Sequence, residues 1–261
     1  EILWDSLPHK MVSPETALDF PPAPDERPTV MIAQPFIAVG GAEQLALHIM
    51  ENLKEKIRFV HVSCDELDAS LGTLSDAFRQ VSPLIYNLPD FLYPELRLAY
   101  LFDLIERYQP VAFYIHNGAA WFYDILPQLK QRFPALRTVN QVYDSRVGWI
   151  YRYDVALLVN MDAHIGANQK ICQAYRDKGV RPEQVFQVPH TIDPKNLNPA
   201  EYGEFQRFEI KQKLGLPAES RVVTFAARLH PQKRPMDFIE LARRFSGDPS
   251  IVFLMLGDGP L

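Results

Sequence analysis

The 261-residue chain has little cysteine and no excess of positive charge. Its two cysteines, Cys64 and Cys172, are far apart and lack metal-ligand spacing, which favours a reducing compartment over a disulfide-built secreted domain. The formal net charge is -5, so the chain lacks the basic field with which nucleic-acid-binding proteins hold phosphate backbones. Both shortages argue against a small secreted domain and against a nucleic-acid partner.

Long apolar runs are also missing. None approaches the roughly 20 residues that a membrane helix needs, and residues 1–5 lack the basic-then-apolar layout of a signal peptide. We therefore expect no transmembrane segment and a cytoplasmic location. Residues 1–28 are rich in proline, which predicts a semi-rigid leader or linker. Because the chain also begins without Met, we expect further sequence to precede it in the natural protein.

From residue 29 onwards, short apolar runs alternate with amphipathic stretches. This pattern is typical of βα units that build a parallel sheet covered on both faces. We predict strands at 29–35, 57–62, 83–88, 111–115, 136–140, 163–167 and 184–188. Helices are predicted from 42 to 53 and at 95–107, 121–132 and 169–178, the last ending at a glycine C-cap, Gly179. Residues 29–193 are therefore predicted to form one Rossmann-like, doubly wound domain.

The composition of the chain changes after residue 193. Residues 194–219 are polar and punctuated by proline, with one short helix predicted at 208–214, which indicates an interdomain connection. The alternation restarts with a strand at 221–226, a helix at 234–245 and a strand at 251–256. A second α/β domain is thus predicted to begin at 220, and two strands with one helix are too few to close its core.

Two adjacent glycines, Gly40 and Gly41, follow the first predicted strand and precede a helix. Glycine lets the backbone approach a ligand closely, and a helix N-terminus offers unpaired N–H groups to an anion. A tight turn that binds nothing has the same signature. The G-x-G-x-x-G fingerprint and the Gly-Lys-Ser/Thr phosphate loop are both absent, which argues against a dehydrogenase or an ATPase.

His116 ends a predicted buried strand. Ligands of open parallel sheets bind beyond the carboxyl ends of strands, where an imidazole can hydrogen-bond a sugar hydroxyl. A histidine satisfied by the neighbouring backbone would have the same signature, so both interpretations stay open.

Arg228 and Lys233 follow the strand at 221–226. They are able to converge on one anion, the guanidinium as a fork and the ammonium as a point charge, and the alternative is a solvated basic loop. Gly257 and Gly259 lie in a Gly-Asp-Gly-Pro turn after the next strand. In isolation this sequence indicates only a turn.

In this order, the segments resemble the retaining GT-B glycosyltransferases of family 4, from Val30 to the end of the chain. The family has a Gly-Gly-Ala-Glu turn, a strand-end histidine, a "GR-x4-K" loop and a "GDGP" turn, to which 40–43, His116, 227–233 and 257–260 are similar. The resemblance implies an α/β fold of the GT-B type, with two Rossmann-like doubly wound domains and the second truncated in this chain. Three positions depart from the pattern, since the family usually has glycine where Thr191, Ala227 and Arg234 stand.

What the resemblance implies for function is transfer of a hexosyl or other glycosyl group from a nucleotide-diphosphate-sugar donor to a saccharide, lipid or other acceptor. The configuration would be retained, without a cofactor or an obligatory metal. Arg228 and Lys233 would stabilise the departing diphosphate, and His116 would contact the transferred sugar. Backbone close to the donor or acceptor would be supplied by Gly40, Gly41, Gly257 and Gly259.

A role in polysaccharide biosynthesis is expected, with peripheral membrane contact if the acceptor is a lipid. The family's Glu-x7-Glu motif is expected beyond Leu261, so we expect the chain alone to bind donor weakly and to be inactive. One alternative is a catalytically silent GT-B-like binding or scaffold module of a larger protein. A nucleotide-sugar epimerase of the same architecture is another, and a dinucleotide-dependent oxidoreductase is the most remote.

Overall fold

The structure is a computed structural model that describes residues 26–143, 150, 153–190, 198–259 and 261. The chain folds as two compact units, Glu1–His190 and Thr191–Leu261. Nearly all of the predicted leader, 1–28, lies outside the described residues. The finer domain bounds given above stay predictions.

The first unit is built on a seven-stranded sheet in the order β3-β2-β1-β4-β5-β6-β7, with every described pairing parallel. Its strands are β1 (Thr29–Gln34), β2 (Arg58–Ser63), β3 (Ile85–Asn87), β4 (Ala112–His116), β5 (Arg137–Val142), β6 (Ala163–Gly166) and β7 (Val185–Gln187). The chain builds one half of the sheet outwards from β1 and the other half outwards from β4. This reversal between β1 and β4 confirms the predicted doubly wound α/β architecture.

Helices connect the strands. They are α1 (Gly41–Leu53), α2 (Ser75–Val81), α3 (Leu88–Phe91), α4 (Pro94–Tyr108), α5 (Ala120–Asp124), α6 (Leu126–Arg132), α7 (Val155–Val159) and α8 (Gln169–Asp177). Short 3-10 turns lie at Ala69–Leu71 and Pro182–Gln184. The side chains of the central strands alternate between two apolar clusters, since successive strand residues point to opposite faces. In β4, for example, Phe113 and Ile115 pack in one cluster and Tyr114 packs in the other.

Helix α8 ends as the sequence predicts. Gly179 has φ 95, and its N–H donates to the carbonyl of Arg176 at 2.9 Å, while Val180 N–H donates to Tyr175 at 3.1 Å. This pair of bonds is a Schellman motif, in which glycine takes the left-handed position without strain.

The single helix predicted at 121–132 is wrong. The structure has two helices there, α5 and α6, which meet at Ile125. Pro127 has no backbone N–H to donate to the carbonyl of Tyr123, and proline is tolerated only in the first turn of a helix. The proline therefore starts a new helix rather than continuing the old one.

The second unit contains α9 (Glu204–Lys213), β8 (Arg221–Ala226), α10 (Pro235–Arg244) and β9 (Ile251–Leu256), with 3-10 turns at Pro199–Glu201 and Pro231–Lys233. Strands β8 and β9 pair in parallel from Arg221 opposite Ile251 to Ala226 opposite Leu256. Helix α9 begins four residues before the predicted 208–214, and no residue in it is buried. Only Ser220 and Pro235 are buried among the described residues of this unit.

No helix in the described part of the chain combines the length and apolar character needed to cross a bilayer.

Candidate functional site

Two polar side chains lie where the sheet of the first unit reverses direction. Gln34 is the last residue of β1 and His116 is the last residue of β4, and the two strands are direct neighbours. Both side chains are fully buried. The carboxyl edge at such a reversal is the position at which open α/β sheets bind ligands.

The Gln34 amide bridges two buried histidines. Its Nε2 lies 3.2 Å from Nδ1 of His116, and its Oε1 lies 2.9 Å from Nε2 of His61 in the adjacent strand β2. An amide nitrogen only donates and an amide oxygen only accepts. His61 therefore donates from Nε2 to Gln34, and Gln34 donates to Nδ1 of His116.

Both imidazoles are neutral at physiological pH. Burial lowers the pKa of His61 to about 3. Burial, followed by the nearby His61 and His190, lowers the pKa of His116 to about 3 as well. With Nδ1 of His116 accepting from Gln34, its single proton lies on Nε2.

The side chain of Tyr143 lies against Nε2 of His116, the nitrogen that carries this proton. Its hydroxyl is hydrogen-bonded to Nε2 of His116, and its ring meets that of His190 edge to face at 4.7 Å between centroids. Burial, then the charges of Tyr114 and Glu43, raise the pKa of Tyr143, so the phenol keeps its proton. His116 itself has no exposed surface, whereas Tyr143, which is hydrogen-bonded to it, is half-buried.

The glycine pair at the start of α1 is not demanded by backbone strain. Gly40 has the extended values φ -144 and ψ 163, which any residue adopts. A Cβ on Gly41 would meet no atom of the described residues within 4 Å. A Cβ on Gly40 would instead collide with the carboxyl group of the buried Glu43.

The second unit holds the predicted basic loop. Arg228 and Lys233 are both exposed, and their segment is folded by hydrogen bonds from His230 N–H to Arg228 O at 2.9 Å and from Lys233 N–H to His230 O at 2.8 Å. Within the described residues, neither cationic side chain has a hydrogen bond or an ion pair.

The glycine-rich turn after β9 supports this loop. Leu229 N–H donates to Asp258 O at 2.8 Å, and Ala227 N–H donates to Leu256 O at 3.1 Å. A Cβ on Gly257 would collide with the carbonyl oxygen of Ala227, and one on Gly259 with the backbone of Leu229. The two motifs that the sequence presents 30 residues apart, from Ala227 to Gly257, are therefore one packed structure.

The sequence-predicted site residues fall into one group per unit. Gly40, Gly41 and His116 belong to the first unit, and Arg228, Lys233, Gly257 and Gly259 belong to the second. Three residues of the first group escaped the sequence analysis: Gln34, His61 and Tyr143. The available signal was a polar residue inside or just after an otherwise apolar strand, as in 29–34 and 58–63. In the described part of the chain, no three His, Cys, Asp or Glu side chains cluster closely enough to hold a metal ion.

The sequence matches known proteins over much of its length. The family model described as Glycosyltransferase Family 4 matches residues 39–196. An Escherichia coli relative, UDP-Gal:alpha-D-GlcNAc-diphosphoundecaprenol alpha-1,3-galactosyltransferase, is 33% identical over 98 residues, which cover 36% of this chain and 24% of that enzyme.

Two solved structures share the fold. Anabaena HepE in complex with UDP has a TM-score of 0.65 and 16% identity, over 90% of this chain and 62% of that one. A glycosyltransferase from Rickettsia africae has a TM-score of 0.62 and 12% identity, over 89% and 69%. This chain therefore spans a quarter of the Escherichia coli relative and about three fifths of HepE.

The fold is accordingly the GT-B α/β type. Because the family match spans more than half of the residues, the chain belongs to glycosyltransferase family 4.

Proposed function

We propose that the protein carrying this chain moves a hexosyl group from a nucleotide-diphosphate sugar to a saccharide, lipid or other acceptor in polysaccharide synthesis. The configuration at the anomeric carbon is retained, and no metal is obligatory. Membership of glycosyltransferase family 4 supports the reaction class, and the basic loop of the second unit supports the donor class.

The observation that carries the proposal is that Arg228 and Lys233 lie on one loop at the carboxyl end of β8 and have no side-chain partner among the described residues. Four other arginines of the second unit have carboxylate partners in their own unit: Arg221 with Asp248, Arg234 with Asp237, and Arg243 and Arg244 with Glu240. Arg207 on the exposed helix α9 has none among the described residues, but it does not lie at the carboxyl end of a strand. In the described residues, Arg228 and Lys233 have no such partner. Two cations held on one glycine-supported loop are suited to a diphosphate.

Their role follows from the charge that the reaction develops. Breaking the bond between the sugar and the diphosphate places negative charge on the leaving group, so fixed cations at the phosphates lower the barrier. Neither side chain needs to gain or lose a proton for this.

In the first unit, the polar edge is suited to hydroxyl groups. His116, Gln34 and Tyr143 form a neutral hydrogen-bonded chain, which can bind a sugar or acceptor hydroxyl. At the Gly40–Gly41 turn, the carboxyl group of Glu43 already lies at the helix N-terminus and would repel a phosphate. We therefore assign this turn to a hydroxyl-bearing part of the donor or acceptor.

Calorimetric titration of the protein with its natural flanking sequence tests the donor. UDP and UDP-sugars come first because the Escherichia coli relative is named for UDP-Gal and HepE was crystallised with UDP, and GDP and ADP sugars follow. Arg228→Ala and Lys233→Ala are each expected to weaken nucleotide binding by roughly tenfold to a hundredfold, the value of a charged hydrogen bond. Lys213→Ala, an exposed lysine on α9, is the matched control and should leave affinity unchanged.

Product analysis tests the reaction. Retention requires that the new glycosidic bond has the anomeric configuration of the donor, which proton coupling constants of the product report. An inverted product would overturn retention, and an epimerised nucleotide sugar without transfer would identify an epimerase. A folded protein that binds none of the nucleotides would be a silent binding module.

A further inference from the structure

We infer that Gln34 and His61 are positioning residues, which hold the proton of His116 on Nε2 and thereby make this edge of the sheet a hydrogen-bond donor to its ligand. The identity of that ligand as a sugar hydroxyl rests on the proposed function. The arrangement of protons does not.

The three linked side chains are closed to water. His61, Gln34 and His116 lie on the neighbouring strands β2, β1 and β4, and all three have 0% exposure. Their contacts are 2.9 Å from His61 Nε2 to Gln34 Oε1 and 3.2 Å from Gln34 Nε2 to His116 Nδ1. Without water to rearrange, each group can bond only to the partner that faces it.

The tautomer of His61 is fixed by its surroundings. Among the described residues its Nδ1 has no hydrogen-bond partner. A proton on Nδ1 would leave a buried donor without an acceptor and would also remove the bond to Gln34. The proton of His61 therefore lies on Nε2.

The orientation of the Gln34 amide links the tautomer of His61 to that of His116. The donor from His61 fixes the oxygen of the Gln34 amide on its own side, so the NH2 group must face His116. Nδ1 of His116 accepts, and its Nε2 is left to donate to the hydroxyl of Tyr143. The Tyr143 oxygen is then an acceptor towards His116, and its own proton is free to turn towards a ligand oxygen.

The opposite tautomer of His116 would change Tyr143 from a hydrogen-bond donor to an acceptor towards the ligand. With the proton on Nδ1, Nε2 of His116 would accept from the Tyr143 hydroxyl, and the phenol could offer a ligand only its oxygen. His61 and Gln34 thus decide whether the ligand meets a donor or an acceptor, although neither need touch it.

Nitrogen-15 NMR of histidine-labelled protein tests the inference directly, because the shifts of the two ring nitrogens report which one carries the proton. His116 is expected to be protonated on Nε2 in the native protein. In Gln34→Glu, a carboxylate replaces the amide, and the proton should move to Nδ1. In His61→Phe, the amide loses the donor that orients it, and His116 should show a mixture of both tautomers.

His164 is the internal control. It is a buried strand histidine whose Nε2 donates to the backbone carbonyl of Leu158 at 2.8 Å, so its tautomer should be the same in every variant. The two variants also protect the test against misfolding, since Gln34→Glu adds a buried charge whereas His61→Phe keeps an aromatic ring against Phe78. A His116 that stays protonated on Nε2 in both folded variants would overturn the inference, whatever the protein binds.

The ligand readout separates the inference from the proposed function. Gln34→Glu is expected to weaken binding of a UDP-sugar about tenfold and to leave binding of UDP unchanged, because the Tyr143 phenol then no longer donates a hydrogen bond to the sugar. A tautomer change with unaltered UDP-sugar affinity would instead remove the sugar from this edge and overturn the ligand assignment while the proton arrangement stands.

Discussion

Arg234 adopts a left-handed backbone, with φ 55 and ψ 50, immediately before helix α10. For a residue with a Cβ this conformation costs about 1–2 kcal/mol, and glycine adopts it freely. We expect Arg234→Gly to raise the free energy of unfolding of the second unit by about 0.5–1 kcal/mol, even though it removes an exposed ion pair with Asp237. Hydrogen exchange of the β8 amides measures the change.

The second unit also contains a glycine in a left-handed conformation, at which the opposite substitution can be made. Gly215 has φ 67, and a Cβ there would meet no atom of the described part of the chain within 4 Å, so Gly215→Ala adds backbone strain without a collision there. It should lower stability by about 1 kcal/mol. A destabilised Arg234→Gly protein would show that the ion pair outweighs the strain.

Buried histidines should make the first unit sensitive to acid. Burial lowers the pKa values of His61 and His116 to about 3 and that of His164 to about 4, against about 6.5 in an unfolded chain. Below pH 6.5 the unfolded chain binds more protons than the folded one, so stability falls as pH falls.

One substitution tests how steeply the stability depends on pH. Each buried histidine should contribute about 1.2 kcal/mol between pH 6 and pH 5, and its contribution should fade above pH 7, where the histidine of the unfolded chain is mostly neutral. His61→Phe should therefore flatten the pH dependence of urea unfolding by about that amount in this window. Equal slopes for the native and variant proteins would contradict the buried neutral state of His61.

Among the elements, the turn after β9 depends most strictly on glycine. Gly257 has φ 151, and a Cβ would strike the carbonyl oxygen of Ala227 at the end of β8. Gly257→Ala should cost about 2–3 kcal/mol and weaken nucleotide binding, because the loop that carries Arg228 loses its support. Unfolding and nucleotide titration on the same samples measure both effects.

Gly247→Ala is the control for this prediction. Gly247 lies between α10 and β9 and has no left-handed φ, and a Cβ on it would meet no atom within 4 Å in the residues that the structure describes. Its replacement should change stability by less than about 0.5 kcal/mol. Similar losses in both variants would mean that the collision at Gly257 is relieved by movement of the turn.

The strands were predicted well because short, nearly continuous apolar runs mark a parallel sheet that is buried on both faces. Strands β8 and β9 agree with the prediction at both ends, whereas β3 is only three residues long and its prediction extended beyond both ends. Short helices such as α2, α3 and α7 were missed, since four to seven residues hold too few turns to show a helical period.

The candidate site was predicted in part. Residues marked by a local motif, such as Gly257 or Arg228, could be found from sequence. Gln34 and His61 could not, because their pairing depends on strand register, in which Ile32 lies opposite His61 and Gln34 opposite Ser63. Register is set by tertiary packing and has no local sequence signature in a parallel sheet.

Across the whole molecule, the two units differ in how well their strands are buried. Nearly every residue of β1 and β4 is buried, whereas every residue of β8 and β9 is half-buried or exposed. We expect the β1 and β4 amides of this chain to exchange at least about tenfold more slowly than those of β8 and β9. Hydrogen-exchange mass spectrometry measures both sets in one experiment, and equal protection would show that the two units open together.

The buried hydrogen bonds that link His61, Gln34 and His116 would also couple ligand binding to folding. Its contacts join residues 27 and 82 positions apart, so none of it can form from local structure alone. The ordering of distant strands must come first, and this is the slow part of folding for sheets with distant pairings. A ligand at this edge therefore recognises only chains whose β2, β1 and β4 have already paired, and by mass action it would protect the native sheet against unfolding.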